Sequence, residues 1–203
     1  LGKFGIKLGM ERIEGLLREL GNPEQKIKTV HVTGTNGKGS VTSMITNILL
    51  AANLKVGKFT SPHLVKYNER INLNGKDISD EDFATAITAV KVAADSVVKK
   101  GVCEQPTQFE ILTAAAFLYF YLQKVDYAVI EVGMGGLWDS TNVITPVVSV
   151  ITNVALDHTD RCGKTLERIA MQKAGIIKEK VPLVTAAEGN EALGPIVSLA
   201  MFK

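Results

Sequence analysis

Cysteine is scarce in this chain of 203 residues, and the two present, Cys103 and Cys162, lie far apart and outside any CxxC spacing. That argues against a disulfide framework and for reduced thiols in a cytoplasmic protein. An excess of one charge is also missing. Lys plus Arg number 23 against 21 Asp plus Glu, a net charge of +2, and no basic stripe gathers along the chain. Nucleic acid is therefore not indicated as a partner. No apolar run approaches membrane-spanning length and no signal peptide is visible, so no membrane partner is expected. Internal repeats and low-complexity linkers are absent too. What remains is an ordinary globular composition, 46% hydrophobic and 22% charged, enough for one core or slightly more. A single domain over residues 1–203 is expected, as a monomer. The start at Leu1 without Met, and the end at Lys203 inside an apolar helical pattern, read as a piece of a longer protein.

The richest stretch is Gly34-Thr35-Asn36-Gly37-Lys38-Gly39-Ser40. It follows the β-branched run Ile27–Thr33 and precedes a helical pattern with Val41, Met44, Ile45, Ile48 and Ala52 as the expected buried face. Strand, glycine-rich turn, Lys with a hydroxyl, then helix is an arrangement that holds a nucleoside triphosphate. Glycines let backbone N–H groups approach phosphate oxygens, the helix N-terminus adds its positive end, and Lys adds a point charge. The loop is a variant: Val32 stands where the standard pattern has its first glycine, and Gly39 separates Lys38 from Ser40.

Periodicity predicts the remaining elements. Met10, Ile13, Leu17 and Leu20 mark a helix stopped by Gly21-Asn22-Pro23, and Lys55–Thr60 a second strand ending at Ser61-Pro62-His63. Ile71–Ile78 reads as a small hairpin around Asn74-Gly75. Ser79 caps a helix with Phe83, Ile87, Val90, Ala94 and Val97 inward, and Thr107 with Glu110 forms a capping box before a helix to about Leu122. Strands follow at Tyr127–Val132, Val147–Thr152 and Pro182–Thr185, with a helix from Thr165 to about Lys178. Strands alternating with helices, apolar on both faces, predict an α/β fold: a mostly parallel sheet covered on both sides.

In a parallel sheet the strands end on one edge, where ligands bind. The phosphate loop, Ser61, Glu131 and Asp157-His158 each follow or close a different strand, so four segments are expected at one crevice. Glu131 is the sharpest. A carboxylate closing an apolar run either binds a cation, here Mg²⁺ beside a triphosphate, or pairs with a Lys or a backbone N–H. Ser61-Pro62 is equally turn chemistry, and Asp157-His158 could simply orient a loop. Lys173 falls on the helix face marked by Leu166, Ile169, Ala170 and Ile177. It either snorkels, finds a partner, or turns neutral, and a neutral amine can add CO₂ to give a carbamate.

In order, the phosphate loop, Thr60-Ser61-Pro62-His63-Leu64, Asn68-Glu69-Arg70-Ile71, Glu131-Val132-Gly133-Met134-Gly135-Gly136, Asp139-Ser140-Thr141-Asn142, Leu156-Asp157-His158-Thr159 and Lys173-Ala174-Gly175-Ile176 resemble the folylpolyglutamate synthase and dihydrofolate synthase family of the Mur ligase superfamily. The resemblance covers essentially the whole chain, and Gly39 favours the folate branch. It implies a P-loop NTPase-like Mur ligase ATPase domain. It also implies a ligase that phosphorylates a folate or dihydropteroate carboxylate with ATP and couples the acyl phosphate to L-glutamate. Gly34, Thr35, Asn36, Gly37, Lys38, Gly39 and Ser40 would bind ATP. Ser61, Glu131 and His158 would gather Mg²⁺, and Lys38, Lys173 (carbamylated in the family) and His158 would serve catalysis. Pro62, His63, Arg70 and Phe109 would bind substrate, the first three in a loop that helps form the pteroate pocket. Leu137-Trp138 stands where Arg-Leu is common, and Gln172 where Glu is common. Family members carry a second α/β domain, so this chain alone is expected to be inactive or nearly so. The rival readings are a Mur-type ligase for another carboxylate and a nucleotide-binding module without ligation.

Overall fold

The computed structural model describes residues 9–156 and 163–203. The chain enters through helix α1 (Glu11–Glu19), then strand β1 (Thr29–Thr33), helix α2 (Lys38–Ala51) and strand β2 (Val56–Phe59). Strands β3 (Ile71–Leu73) and β4 (Lys76–Asp77) form the expected hairpin, followed by helices α3 (Asp80–Lys99) and α4 (Gln108–Leu122). Strand β5 (Tyr127–Glu131), strand β6 (Val148–Ile151), helix α5 (Leu166–Ala174), strand β7 (Leu183–Thr185) and helix α6 (Asn190–Phe202) complete it.

The caps predicted from sequence are present. Ser79 accepts from the Asp82 N–H, and Thr107 exchanges bonds with Glu110 in a capping box. Glu110 does more than cap: both of its oxygens lie 3.1 Å from Arg12 Nε in a buried ion pair joining α1 to α4.

The seven strands lie in the order β4-β3-β2-β5-β1-β6-β7. Neighbours from β2 to β7 are parallel, and the β3–β4 hairpin adds two antiparallel steps at the edge. The mostly parallel sheet with helices on both faces is therefore as expected. On one face α2 covers Val30, Val32, Val56, Val129, Val148 and Val150. On the other, α1, α3 and α4 cover Phe59, Ala128 and Ile130, while α5 and α6 cover Ile151. Among the described residues no helix is long and apolar enough to cross a membrane.

Two expectations are corrected. The inward side of α2 is Val41, Thr42, Ile45, Thr46 and Leu49, whereas Met44 and Ile48 are 63% and 69% exposed and Ala52 is exposed. Thr46 can face inward because its hydroxyl donates to the Thr42 carbonyl one turn back. Nor is every strand apolar on both faces: Thr29, His31 and Thr33 share the β1 face opposite α2, each at most 1% exposed.

Candidate active site

The edge where the parallel strands end carries the site. β1 leads into α2 on one face, whereas β6 leads toward α5 on the other, so the crevice lies at a topological switch point. Gly37 is the residue before α2, with φ 77°, a left-handed conformation that favours glycine, and no side chain caps the helix there. The first N–H groups of α2 thus receive no side-chain cap, as the start of an anion-binding helix would require. Lys38 Nζ folds back over the loop, donating to the Gly34 and Thr35 carbonyls at 3.0 Å each.

The loop is held from behind by the segment after β6. The Thr35 N–H donates to the Asn153 carbonyl at 3.0 Å, the Asn36 N–H to Asn153 Oδ1 at 2.9 Å, and Thr152 Oγ1 to the Asn36 carbonyl at 2.7 Å. A side chain on Gly34 would overlap Thr152 Oγ1. Sequence reasoning did not find Thr152 and Asn153. They follow a strand end, as Ser61 does, but carry no motif of their own.

Glu131 ends β5 beside Val32 of β1 and is 4% exposed. Its Oε2 accepts the Ser61 N–H at 3.1 Å, and a side chain on Gly39 would start 3.7 Å from both of its oxygens. Burial pushes its carboxyl up, opposed by the Ser61 N–H and the positive charges of Lys38 and Lys58. Ends of three strands, β1, β2 and β5, therefore meet at this carboxylate. The bare Gly39 leaves the space before it open, and oxygen donors with a buried negative charge suit a hard cation. Among the described residues no group of three or more His, Cys, Asp or Glu forms a metal cage.

The loop after β5 is tied to β1 and α5. Thr33 Oγ1 donates to the Gly135 carbonyl at 2.7 Å, and the Leu137 N–H to the Gln172 carbonyl at 2.8 Å. Asn142 Nδ2 reaches the Leu137 and Gly175 carbonyls, both at 3.1 Å. At the common Arg position, Leu137 packs against Gly175, and the neighbouring Trp138 is 48% exposed. Lys173 is buried in α5 as its spacing predicted, and a side chain on Gly136 would meet the Lys173 carbonyl.

The expected substrate residues divide into two groups. Glu69 gathers the N–H groups of Leu64, Val65 and Lys66, which hold its carboxyl below the usual range. Within the loop so folded, Arg70 Nε donates to His63 Nδ1 at 2.9 Å and His63 packs on Tyr67, while Pro62 is exposed. Phe109 lies apart from them, packed against Phe59 and Gly133 and so next to the strand ends that carry Ser61 and Glu131. Asp157, His158 and Cys162 lie outside the described residues.

Residues 32–190 match the family described as Mur ligase middle domain. The dihydrofolate synthase/folylpolyglutamate synthase of Bacillus subtilis is 49% identical over 194 residues, which are 94% of this chain and 44% of that protein. The folylpolyglutamate synthase of Lacticaseibacillus casei is 49% identical over 174 residues, 86% of this chain and 41% of that protein. A solved FPGS–AMPPCP complex superposes with a TM-score of 0.93 at 44% identity, covering 96% of this chain and 48% of that one. Escherichia coli FolC in complex with DHPP and ADP gives 0.89 at 33% identity, covering 100% of this chain and 47% of that one. The chain spans less than half the length of each of these relatives.

Proposed function

The chain belongs to the Mur ligase middle-domain family, and from that premise we propose that it is the ATP-binding part of a folate–glutamate ligase. The γ-phosphate of ATP passes to a carboxylate of folate or dihydropteroate. The amino group of L-glutamate then attacks the acyl phosphate, an amide forms and phosphate leaves. The observation that carries this reading is Glu131, buried between the Ser61 N–H and the bare Gly39 at the start of the phosphate-loop helix. Relatives named as folylpolyglutamate and dihydrofolate synthases, and solved relatives holding AMPPCP with folate or DHPP with ADP, support the choice of substrates.

In this reading the N–H groups from Gly34 to Ser40 and the Lys38 ammonium receive the phosphates. Glu131 and the Ser61 hydroxyl, with His158, would hold Mg²⁺, which supplies positive charge against the phosphate oxygens. Phosphoryl transfer needs chiefly alignment and charge neutralisation, and both fall to rigid strand ends. Lys173 is the family position for a carbamate, formed from its neutral amine and CO₂ with loss of one proton. Pro62, His63 and Arg70 on their loop, and Phe109 at the strand ends, would form the pterin side of the crevice. We propose a cytoplasmic monomer.

The test is phosphate release by the full-length enzyme that contains this chain. Release is expected only with ATP, L-glutamate and either dihydropteroate or a tetrahydrofolate present together. Turnover driven solely by a nucleotide-sugar acid would reject the folate reading, and ATP binding without turnover on any carboxylate would reject ligation.

A further inference from the structure

The central strand β1 buries a row of polar side chains where a parallel sheet ordinarily buries aliphatic ones. His31 is fully buried between Ile130 of β5 and Ser149 of β6. A buried imidazole is costly unless it is hydrogen-bonded, so its partners show what it is for. Its Nε2 lies 2.8 Å from Thr141 Oγ1. The Thr141 hydroxyl in turn donates to Asp139 Oδ1 at 2.5 Å. A hydroxyl has one proton, and here it goes to the carboxylate. Thr141 must therefore accept from His31, which fixes the imidazole as the Nε2–H tautomer. Nδ1 then carries no proton, in keeping with its burial without a hydrogen-bond partner among the described residues. Burial, with the Lys178 charge adding to it, pushes the imidazole down to about 3, so it stays neutral.

The relay ends on the loop that follows Glu131. Asp139 accepts the Thr141 N–H at 3.0 Å through Oδ1 and the Met134 N–H at 2.9 Å through Oδ2. Two residues on from His31 along β1, Thr33 holds the Gly135 carbonyl. The Val132 N–H donates to the Val32 carbonyl between them. The strand that launches the phosphate loop thus grips the segment that follows Glu131 at several points.

We propose that His31 is a positioning residue for Glu131: by donating to Thr141 it locks the segment 133–142 onto β1 and so sets the carboxylate against the phosphate loop. His31 touches neither nucleotide nor metal and acts through Thr141 and Asp139. The inference rests on the ATP reading above and goes beyond it in giving the relay a role in metal binding.

The test uses the full-length enzyme and measures ATP affinity by calorimetry with and without Mg²⁺, the apparent Mg²⁺ constant, and the thermal midpoint. His31→Leu, His31→Asn and Thr141→Val are each expected to weaken the apparent Mg²⁺ constant about tenfold while metal-free ATP affinity stays within about twofold. Thr141→Ser keeps the relay and His31→Gln keeps a donor near the Nε2 position, so both recover most of the loss. The His31→Leu/Thr141→Val double variant is no worse than either single one, because the two residues act as one unit. Nitrogen chemical shifts of His31 should report a neutral Nε2–H ring from pH 6 to 8 whether or not a variant folds. Lower thermal midpoints with wild-type Mg²⁺ dependence, a Nδ1–H ring, or an imidazole that titrates in that range would overturn the proposal. Failure of the wild-type enzyme to bind ATP would instead reject the nucleotide reading.

Discussion

Glu131 Oε2 accepts the Ser61 N–H across 3.1 Å, joining the ends of β2 and β5 at the start of the phosphate-loop helix. The bond does not neutralise the carboxylate; it orients it. Replacing Glu131 with Gln keeps the shape and removes the charge. Turnover is expected to fall about a hundredfold, about 2.7 kcal/mol of barrier. The thermal midpoint should hold or rise, since a desolvated charge is removed. Steady-state kinetics and calorimetry on the full-length Glu131→Gln enzyme check this, and unchanged turnover would remove the metal assignment.

Asn153 should matter to nucleotide binding although it need not touch the nucleotide. Its side chain holds the Asn36 N–H and its backbone the Thr35 N–H. Asn153→Ala deletes the first bond, worth about 1 kcal/mol, and should weaken ATP about fivefold. Titration calorimetry reads this directly, and an affinity equal to wild type would show that the loop supports itself.

The Arg12–Glu110 pair is buried on both sides, at 7% and 2% exposure, and Glu110 also caps α4. Arg12→Met strands a buried carboxylate and should cost about 3 kcal/mol in urea unfolding. Arg12→Met/Glu110→Met should recover part of that loss, because two apolar groups leave no uncompensated charge. A double variant less stable than Arg12→Met would show that the cap outweighs the stranded charge.

Stability should depend on pH through His31 in a definite direction. Its folded value lies near 3, well below the ordinary imidazole value. Between about pH 6.5 and that value the unfolded chain holds a proton that the folded chain lacks, so stability falls as pH falls through this window. Glu131 and Asp139 work the other way: burial raises both carboxyls, so their contribution is full below the ordinary carboxylate range and is lost as pH rises through their raised values. A His31→Gln variant should flatten the acid limb of the wild-type curve, and equal acid limbs in denaturant melts from pH 4 to 7 would contradict the assignment.

Much of this was legible along the chain. The α/β alternation, the phosphate loop between β1 and α2, and the caps at Ser79 and Thr107 are local, set by hydrophobic period and short-range hydrogen bonding. So is the burial of Lys173, which follows from its spacing on α5. The inward face of α2 was misread because a hydrophobic count ranks Met44 and Ile48 above Thr42 and Thr46. Thr46, whose hydroxyl bonds the Thr42 carbonyl of its own helix, can be buried where the count expects methionine.

The sequence by itself determined which segments become strands, which glycine-rich turn joins β1 to α2, and which acid ends β5. Only the tertiary structure decided that Asn153 braces the phosphate loop, that Arg12 finds Glu110, and that the Thr29–His31–Thr33 row is satisfied in part by the loop after β5. The physical reason is the range of each interaction. Periodicity and capping act within a few residues, whereas a buried polar atom takes its partner from whatever the packed sheet brings within about 3 Å, here as far as 110 residues along the chain, from His31 to Thr141.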